Sequence, residues 1–243
     1  MFKIVAHRGW SGQAPENTLA AFSLAAENSA ILAIELDVHL SKDGVPVVIH
    51  DYTLERTTNG SGLVSDYTVE ELHAFDAGQW FDSRFTGERI PLLEEVLTLA
   101  KGKTKVFIEL KQKANFYKDI EVKVVQLIQQ LNMQQEVLVI SFDHESLMKV
   151  KELDSSLQTG LVYLGVTTLQ AEQVLHTGAS YIGLHHEFIT KEFVDSLKDL
   201  DVIIGVWTVN DADAIRKLET ISRDLCITTN HPELMVEKSG LFI

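Results

Sequence analysis

Short apolar runs alternate with amphipathic segments along almost the whole chain, the pattern of repeated strand–helix units that feed a parallel sheet. The runs predict eight strands, at Lys3–Ala6, Ile31–Val38, Val106–Leu110, Val137–Ile140, Gly160–Leu164, Tyr181–Leu184, Val202–Trp207 and Leu225–Thr228. Eight strands with helices between them favour a closed α/β barrel, the (β/α)8 TIM barrel, over an open doubly wound sheet built from the same alternation. Several helix starts are marked locally. Thr68 with Glu71 and Thr167 with Gln170 have capping-box spacing, and Asn210 or Asp211 can cap the helix carrying Ile215 and Leu218. Pro91 suits the first turn of a helix through Leu93, Val96, Leu97 and Ala100.

Two stretches depart from a plain barrel. A ninth extended run, Val45–Ile49, follows the second strand after only Ser41-Lys42-Asp43-Gly44. No crossover helix fits there, so the runs are expected to form an antiparallel hairpin turning at Asp43-Gly44, which brings His50 opposite Asp37. The stretch Asp51–Ile90 then exceeds an ordinary strand–helix connection and carries Asn59-Gly60-Ser61-Gly62, a short helix near Thr68–Ala74 and the aromatics Trp80, Phe81 and Phe85. Residues 1–243 therefore read as one barrel domain, with a small insertion at about 51–90, after the second-strand hairpin, capping one end.

Composition narrows the partners. The chain is 45% hydrophobic, enough for a sizeable core, and its 35 acidic against 21 basic residues give a formal charge of −14. So negative a surface repels polyanions, which argues against nucleic acid and against an anionic membrane surface as partners. Cys226 is the only cysteine, so no internal disulfide can form, and its apolar surroundings mark it as a packing residue. No stretch approaches the ~20 apolar residues of a membrane span, and the polar His7-Arg8-Gly9 follows the first residues too soon for a signal peptide. A cytoplasmic protein without stable membrane insertion is expected; its oligomeric state is not legible.

Strand parity carries the chemistry. In the second strand Leu32, Ile34, Leu36 and Val38 share one face while Ala33, Glu35, Asp37 and His39 share the other. In the third predicted strand Phe107, Glu109 and Lys111 share a face. Barrel strands are apolar on both sides for most of their length, so unpaired carboxylates facing inward are costly unless a cation joins them. A salt bridge from Lys111 can account for one carboxylate but not for three. Glu35, Asp37 and Glu109 thus form a hard-oxygen set suited to a divalent metal, Mg2+ or Ca2+. His7 and His50 each end an apolar run, where barrel enzymes place catalytic groups, and histidine titrates near neutrality. Arg8 and Lys111 add positive charge beside this cluster, suited to clamping a phosphate.

Seven segments, taken in order, resemble the motifs of the glycerophosphodiester phosphodiesterase family. They are His7-Arg8-Gly9, Pro15-Glu16-Asn17-Thr18, Glu35-Leu36-Asp37-Val38, Lys42–Val48, His50-Asp51, Glu109-Leu110-Lys111 and Trp207-Thr208-Val209-Asn210. The resemblance implies metal-dependent hydrolysis of a glycerophosphodiester to sn-glycerol 3-phosphate and an alcohol. It makes Glu35, Asp37 and Glu109 the metal ligands, His7 and His50 the general acid and base in an order it does not give, and Arg8 and Lys111 the phosphate contacts. Glu16 and Asn17 match a supporting motif with hydrogen-bonding and helix-capping roles, and Trp207 lines the substrate pocket or else the barrel core. Asn230 stands where many relatives carry aspartate, so a charge at that position is missing. His185 is a candidate for the pocket rim, and His39, His73, His144, His176, His186 and His231 read as surface or packing residues. Two competing readings remain at this point: an enzyme of lysophospholipase D type, favoured if Trp80, Phe81 and Phe85 line an apolar groove, and a silent barrel that only binds phosphorylated ligands.

Overall fold

The structure, a computed structural model, describes residues 2–236. Eight parallel strands close on themselves. They are β1 (Lys3–Ala6), β2 (Ala33–Leu40), β4 (Lys105–Leu110), β5 (Val137–Ser141), β6 (Gln158–Tyr163), β7 (Tyr181–His185), β8 (Ile203–Trp207) and β9 (Cys226–Thr229). Closure is direct, because β1 pairs with β2 on one side and with β9 on the other. The fold is thus a (β/α)8 barrel, and the open-sheet alternative falls. Around it run α1 (Leu19–Ala26), α3 (Leu93–Ala100), α4 (Ile120–Gln130), α5 (His144–Leu153), α6 (Gln170–Thr177), α7 (Lys191–Ser196) and α8 (Ala212–Ile221), ending in α9 (Glu233–Val236). No helix among the described residues is long and apolar enough to cross a membrane.

The two faces of each strand feed two different cores. Outward-facing Ile34, Leu36, Val38, Val106 and Ile108 pack with Phe22, Leu93, Val96 and Val124 from the helices. Inside the barrel, Val5, Ala33, Phe107, Leu138, Ile140, Val162, Tyr181 and Cys226 form a smaller plug. Tyr181 belongs to this plug, and a methyl group added at Gly205 would meet its hydroxyl at 1.7 Å, so glycine there leaves the ring its room. Cys226 is wholly buried in this plug, which pushes its thiol up to about 12 and leaves it a packing residue.

The hairpin is present but its loop is one residue longer than the two-residue turn expected. The short strand β3 (Pro46–Val48) runs antiparallel to β2 with His39 opposite Val47 and Leu40 opposite Pro46. Gly44, at φ +74°, supplies the left-handed residue that closes a three-residue loop, and Ser41 N–H bonds the Val45 carbonyl at 3.0 Å. The register is therefore offset, and His50 does not face Asp37 across a ladder. Ile49 N–H instead donates to the Asp37 carbonyl at 3.1 Å, and His50 leaves the sheet just beyond it.

Three local expectations also shift. Thr68 and Glu71 make the reciprocal capping box at α2 (Val69–Leu72), but Thr167 caps nothing, since Leu169 is the N-cap of α6 and the Gln170 side chain returns to the Thr167 carbonyl. Pro91 lies before the N-cap Leu92 of α3 rather than in its first turn, and Glu95 accepts the Leu92 N–H at 2.8 Å. Asp211, not Asn210, caps α8, while the Asn210 side chain accepts the Asn230 backbone N–H at 2.9 Å. The insertion builds a core of its own, in which Leu54, Val64, Leu72, Ala77 and Ile90 pack against Val47 and Ile49.

Candidate active site

Strand register assembles the acidic centre. Asp37 pairs with Glu109 across β2 and β4, and Glu35 pairs with Phe107 one pleat below, so all three carboxylates point into the barrel near its C-terminal rim. A ligand atom from each lies within 4.8 Å of the others, and the relative exposures of Glu35 and Asp37 are 3% and 1%. Two cations answer them. Lys111 Nζ lies 2.5 Å from Glu109 and 2.9 Å from Asp37, and Arg8 Nε lies 3.2 Å from Asp37. Burial favours protonation of Asp37, but Lys111, Arg8 and His50 outweigh it and hold this carboxyl well below its usual range. Glu35 goes the other way: burial, then the charges of Asp37 and Glu109, raise it well above the usual carboxylate range. Two cations do not neutralise three buried acids, so this donor set has room for one further positive charge. All-oxygen carboxylate donors suit a hard divalent cation, which fits the metal reading on chemistry as well as geometry.

The first turn after β1 is bent to serve these acids. Arg8 (φ +56°) and Asn17 (φ +57°) both adopt the left-handed backbone, uncommon for non-glycine residues, and Asn17 N–H bonds the Arg8 carbonyl at 3.0 Å. The bend turns Arg8 N–H onto Glu35 Oε2 at 2.9 Å, and Asn17 Nδ2 donates to Asp37 Oδ2 at 2.8 Å. Gly9 permits the turn, since a Cβ there would lie 2.6 Å from the Ala21 backbone. Helix capping, expected of Glu16 and Asn17, falls to Thr18, whose hydroxyl accepts the Ala21 N–H at 3.3 Å. Glu16 bonds Arg8 Nη1 at 2.8 Å.

The two histidines differ in their partners. His7 Nδ1 lies 2.6 Å from Asn230 Oδ1, which leaves Nε2 facing Glu35 at 4.0 Å. Burial, then the charge of Arg8, lowers the His7 ring to about 4. His50 Nδ1 lies 2.5 Å from the Asp51 carboxylate, and its carbonyl oxygen accepts from His39 Nε2 at 3.0 Å. A carbonyl can only accept, so His39 carries its proton on Nε2 and takes a hydrogen bond from the Tyr117 hydroxyl at 2.8 Å on Nδ1. His39 is thus packed, as expected, but it also anchors the backbone of His50.

A small cavity opens over the acids, lined by His7, Glu35, Glu109, Ile140, Val162, Tyr181, Trp207 and Thr228. Trp207 therefore borders the site, with Phe142 and His185 stacked edge-on against it at 5.5 and 5.2 Å. Trp80, Phe81 and Phe85 do touch one another on the insertion, at 5.7 and 5.8 Å, but they are absent from the cavity lining. Sequence reasoning missed four contributors: Asp51, Arg56, Asn230 as a partner of His7, and Phe142. Asp51 was signalled by its adjacency to His50. Arg56 and Phe142 sit in loops without periodicity, and only tertiary structure brings them here.

A barrel with an acidic centre, two histidines and two cations at its C-terminal rim has the build of a (β/α)8-barrel enzyme acting on an anionic substrate. Comparison with known proteins narrows that class. Residues 7–234 match the Glycerophosphoryl diester phosphodiesterase family, and the chain belongs to it. Among curated relatives, glycerophosphodiester phosphodiesterases of Caldanaerobacter subterraneus subsp. tengcongensis and Bacillus altitudinis are each 40% identical, over 96% and 98% of both chains respectively. A phosphodiesterase of Oleispira antarctica, solved in complex with the product sn-glycerol-3-phosphate, superposes with a TM-score of 0.91 at 30% identity, covering 97% of this chain and 95% of that one. A glycerophosphodiester phosphodiesterase structure from Agrobacterium tumefaciens gives 0.83 at 32% identity, over 98% and 100%.

Proposed function

We propose that the protein hydrolyses glycerophosphodiesters to sn-glycerol 3-phosphate and an alcohol, with a divalent cation held by Glu35, Asp37 and Glu109. The observation that carries this reading is the cluster of three carboxylate ligand atoms within 4.8 Å of one another, with His7 Nε2 4.0 Å from Glu35. Family membership and the product named for the Oleispira relative support the substrate class. When bound, the cation supplies Lewis-acid neutralisation of a phosphate oxygen.

The chain's own residues do the rest. Arg8 and Lys111 offset phosphate charge beside the acids, the first through its fork of N–H groups and the second as a point charge. His7, with a neutral amide on Nδ1 and a free lone pair on Nε2, takes the proton from the attacking oxygen. His50, whose Nδ1 is held by the Asp51 carboxylate, gives a proton to the leaving alcohol. The P–O bond to the alcohol breaks as the new P–O bond forms, and one proton is taken while one is given. Partner identity supports this order: Asn230 carries no charge, and Asp51 is held well below the usual carboxylate range by Arg56.

The test is release of glycerol 3-phosphate from glycerophosphocholine with and without EDTA. Activity should vanish on chelation and return with added Mg2+ or Ca2+; undiminished turnover in metal-free buffer would defeat the proposal.

A further inference from the structure

The insertion sends one cation into the site. Arg56 follows Asp51 by five positions on the loop that opens the insertion. Its guanidinium holds two carboxylates at once. Nε and Nη2 reach Asp51 at 2.7 and 3.0 Å, while Nη1 and Nη2 reach Glu16 at 2.9 and 2.8 Å. Each of those carboxylates holds a residue of the site: Asp51 Oδ1 is 2.5 Å from His50 Nδ1, and Glu16 Oε1 is 2.8 Å from Arg8 Nη1. One side chain thereby fixes the carboxylate that meets His50 and the carboxylate that meets Arg8. The contacts are not explained by stability, because the Arg56 side chain is 44% exposed, and exposed ion pairs contribute about 0–1 kcal/mol. They are explained by shape: a planar fork with five donors can span two carboxylates in fixed orientation, and an ammonium cannot.

We propose that Arg56 is a positioning residue that bridges Asp51 and Glu16, keeping the Asp51 carboxylate on His50 Nδ1 so that Nε2 of His50 faces the leaving oxygen. The proposal rests on the reading of His50 as the proton donor. It also makes the insertion part of the catalytic geometry rather than a separate cap: the loop carrying Arg56 must be seated before His50 is oriented. Both ends of the bridge matter, since Asp51 lies next to His50 in sequence while Glu16 lies on the loop after β1, and Arg56 is the group that ties them together.

The test uses full-length R56Q, R56K, D51N and H50A on two esters of glycerol 3-phosphate, the choline ester and the p-nitrophenyl ester. Nitrophenolate departs without protonation, so loss of a positioned acid appears only on the choline ester. R56Q and D51N should lose roughly 10- to 100-fold in kcat on the choline ester, a part of the range for a positioned acid, with KM nearly unchanged. On the nitrophenyl ester both should stay within about threefold of the parent enzyme, a difference small against that range. R56K, which keeps the charge and guards against a folding defect, should follow R56Q, because charge without the fork does not hold two carboxylates. Equal losses by R56Q on both esters, a D51N enzyme like the parent, or full activity in R56K would each overturn the proposal. H50A separates the two readings. If it loses equally on both esters, His50 is not the donor and the assignment of acid and base fails. If it is selective and R56Q is not, only the role of Arg56 fails.

Discussion

At the scale of single residues, the site is defined by what each titratable group touches. His7 and His50 are the same residue type beside one acidic centre, yet a neutral amide faces one and a carboxylate the other. Alanine at either position should lower turnover by roughly two to four orders of magnitude on the choline ester, the usual worth of a positioned acid or base. Only the His50 variant should recover on the nitrophenyl ester; steady-state rates on both esters check this, and equal recovery of both variants would argue for a purely electrostatic role. His39 is a different case. It is fully buried between Tyr117 and the His50 backbone, and burial lowers its ring from 6.5 to about 4. Between those values the unfolded chain binds the proton that the folded ring refuses, so stability is lost as pH falls from about 6.5 toward about 4. The loss from this one residue is on the order of 3 kcal/mol at the acid end. Thermal melts from pH 7 to pH 4 should show a shallower decline in H39Q than in the parent; parallel curves would contradict the assignment.

At the scale of elements, parity on β2 and β4 was readable because period-2 alternation is strict and each strand is walled on both sides. The in-register pair Asp37 and Glu109 then follows from parallel neighbours. The hairpin was readable in existence but not in register, since Gly44 at a left-handed φ adds one residue to the loop, and one residue of slip changes what lies opposite. Which aromatics approach the substrate pocket was not legible for a similar reason. Composition cannot say which of several loops folds over the barrel mouth, and the rings that meet Trp207 edge-on are Phe142, just after β5, and His185. Phe142 is 44% exposed, an apolar surface offered beside the cavity. F142A should therefore change the ranking of choline, ethanolamine and longer-chain esters by several-fold in kcat/KM, and W80A should leave that ranking unchanged. A ranking altered by W80A alone would assign the selectivity role to the insertion instead.

At the scale of the whole molecule, the barrel concentrates charge where its folding would prefer none. Glu35 is held in the interior against Asp37 and Glu109, and its raised protonation range is the mark of that conflict. E35Q removes a like charge while keeping the shape, so its melting temperature in EDTA should exceed that of the parent, by about 2–4 °C per kcal/mol relieved in a chain of this size. Added Mg2+ or Ca2+ should raise the melting temperature of the parent more than that of E35Q, because binding to the native state alone stabilises it. A variant that gains as much from the metal as the parent does would remove Glu35 from the ligand set. The same substitution should abolish turnover, the usual conflict between stability and a charged site.

What the sequence determined by itself was whatever depends on local order. Strand–helix alternation implied the barrel, parity put Glu35, Asp37 and Glu109 on inward faces, and the ends of apolar runs marked His7 and His50. Thr68 with Glu71 formed its box because a cap needs only residues three apart. Tertiary structure alone decided what depends on approach between distant segments. It set Asn230 on His7 across 223 positions and Arg56 on Glu16 across 40. It set Phe142 and His185 against Trp207, and it gave β2 and β3 their register. Such contacts arise where loops from separate units meet over the closed sheet. No periodicity in the chain encodes them, because each is fixed by barrel closure and not by the neighbours of the residue that makes it.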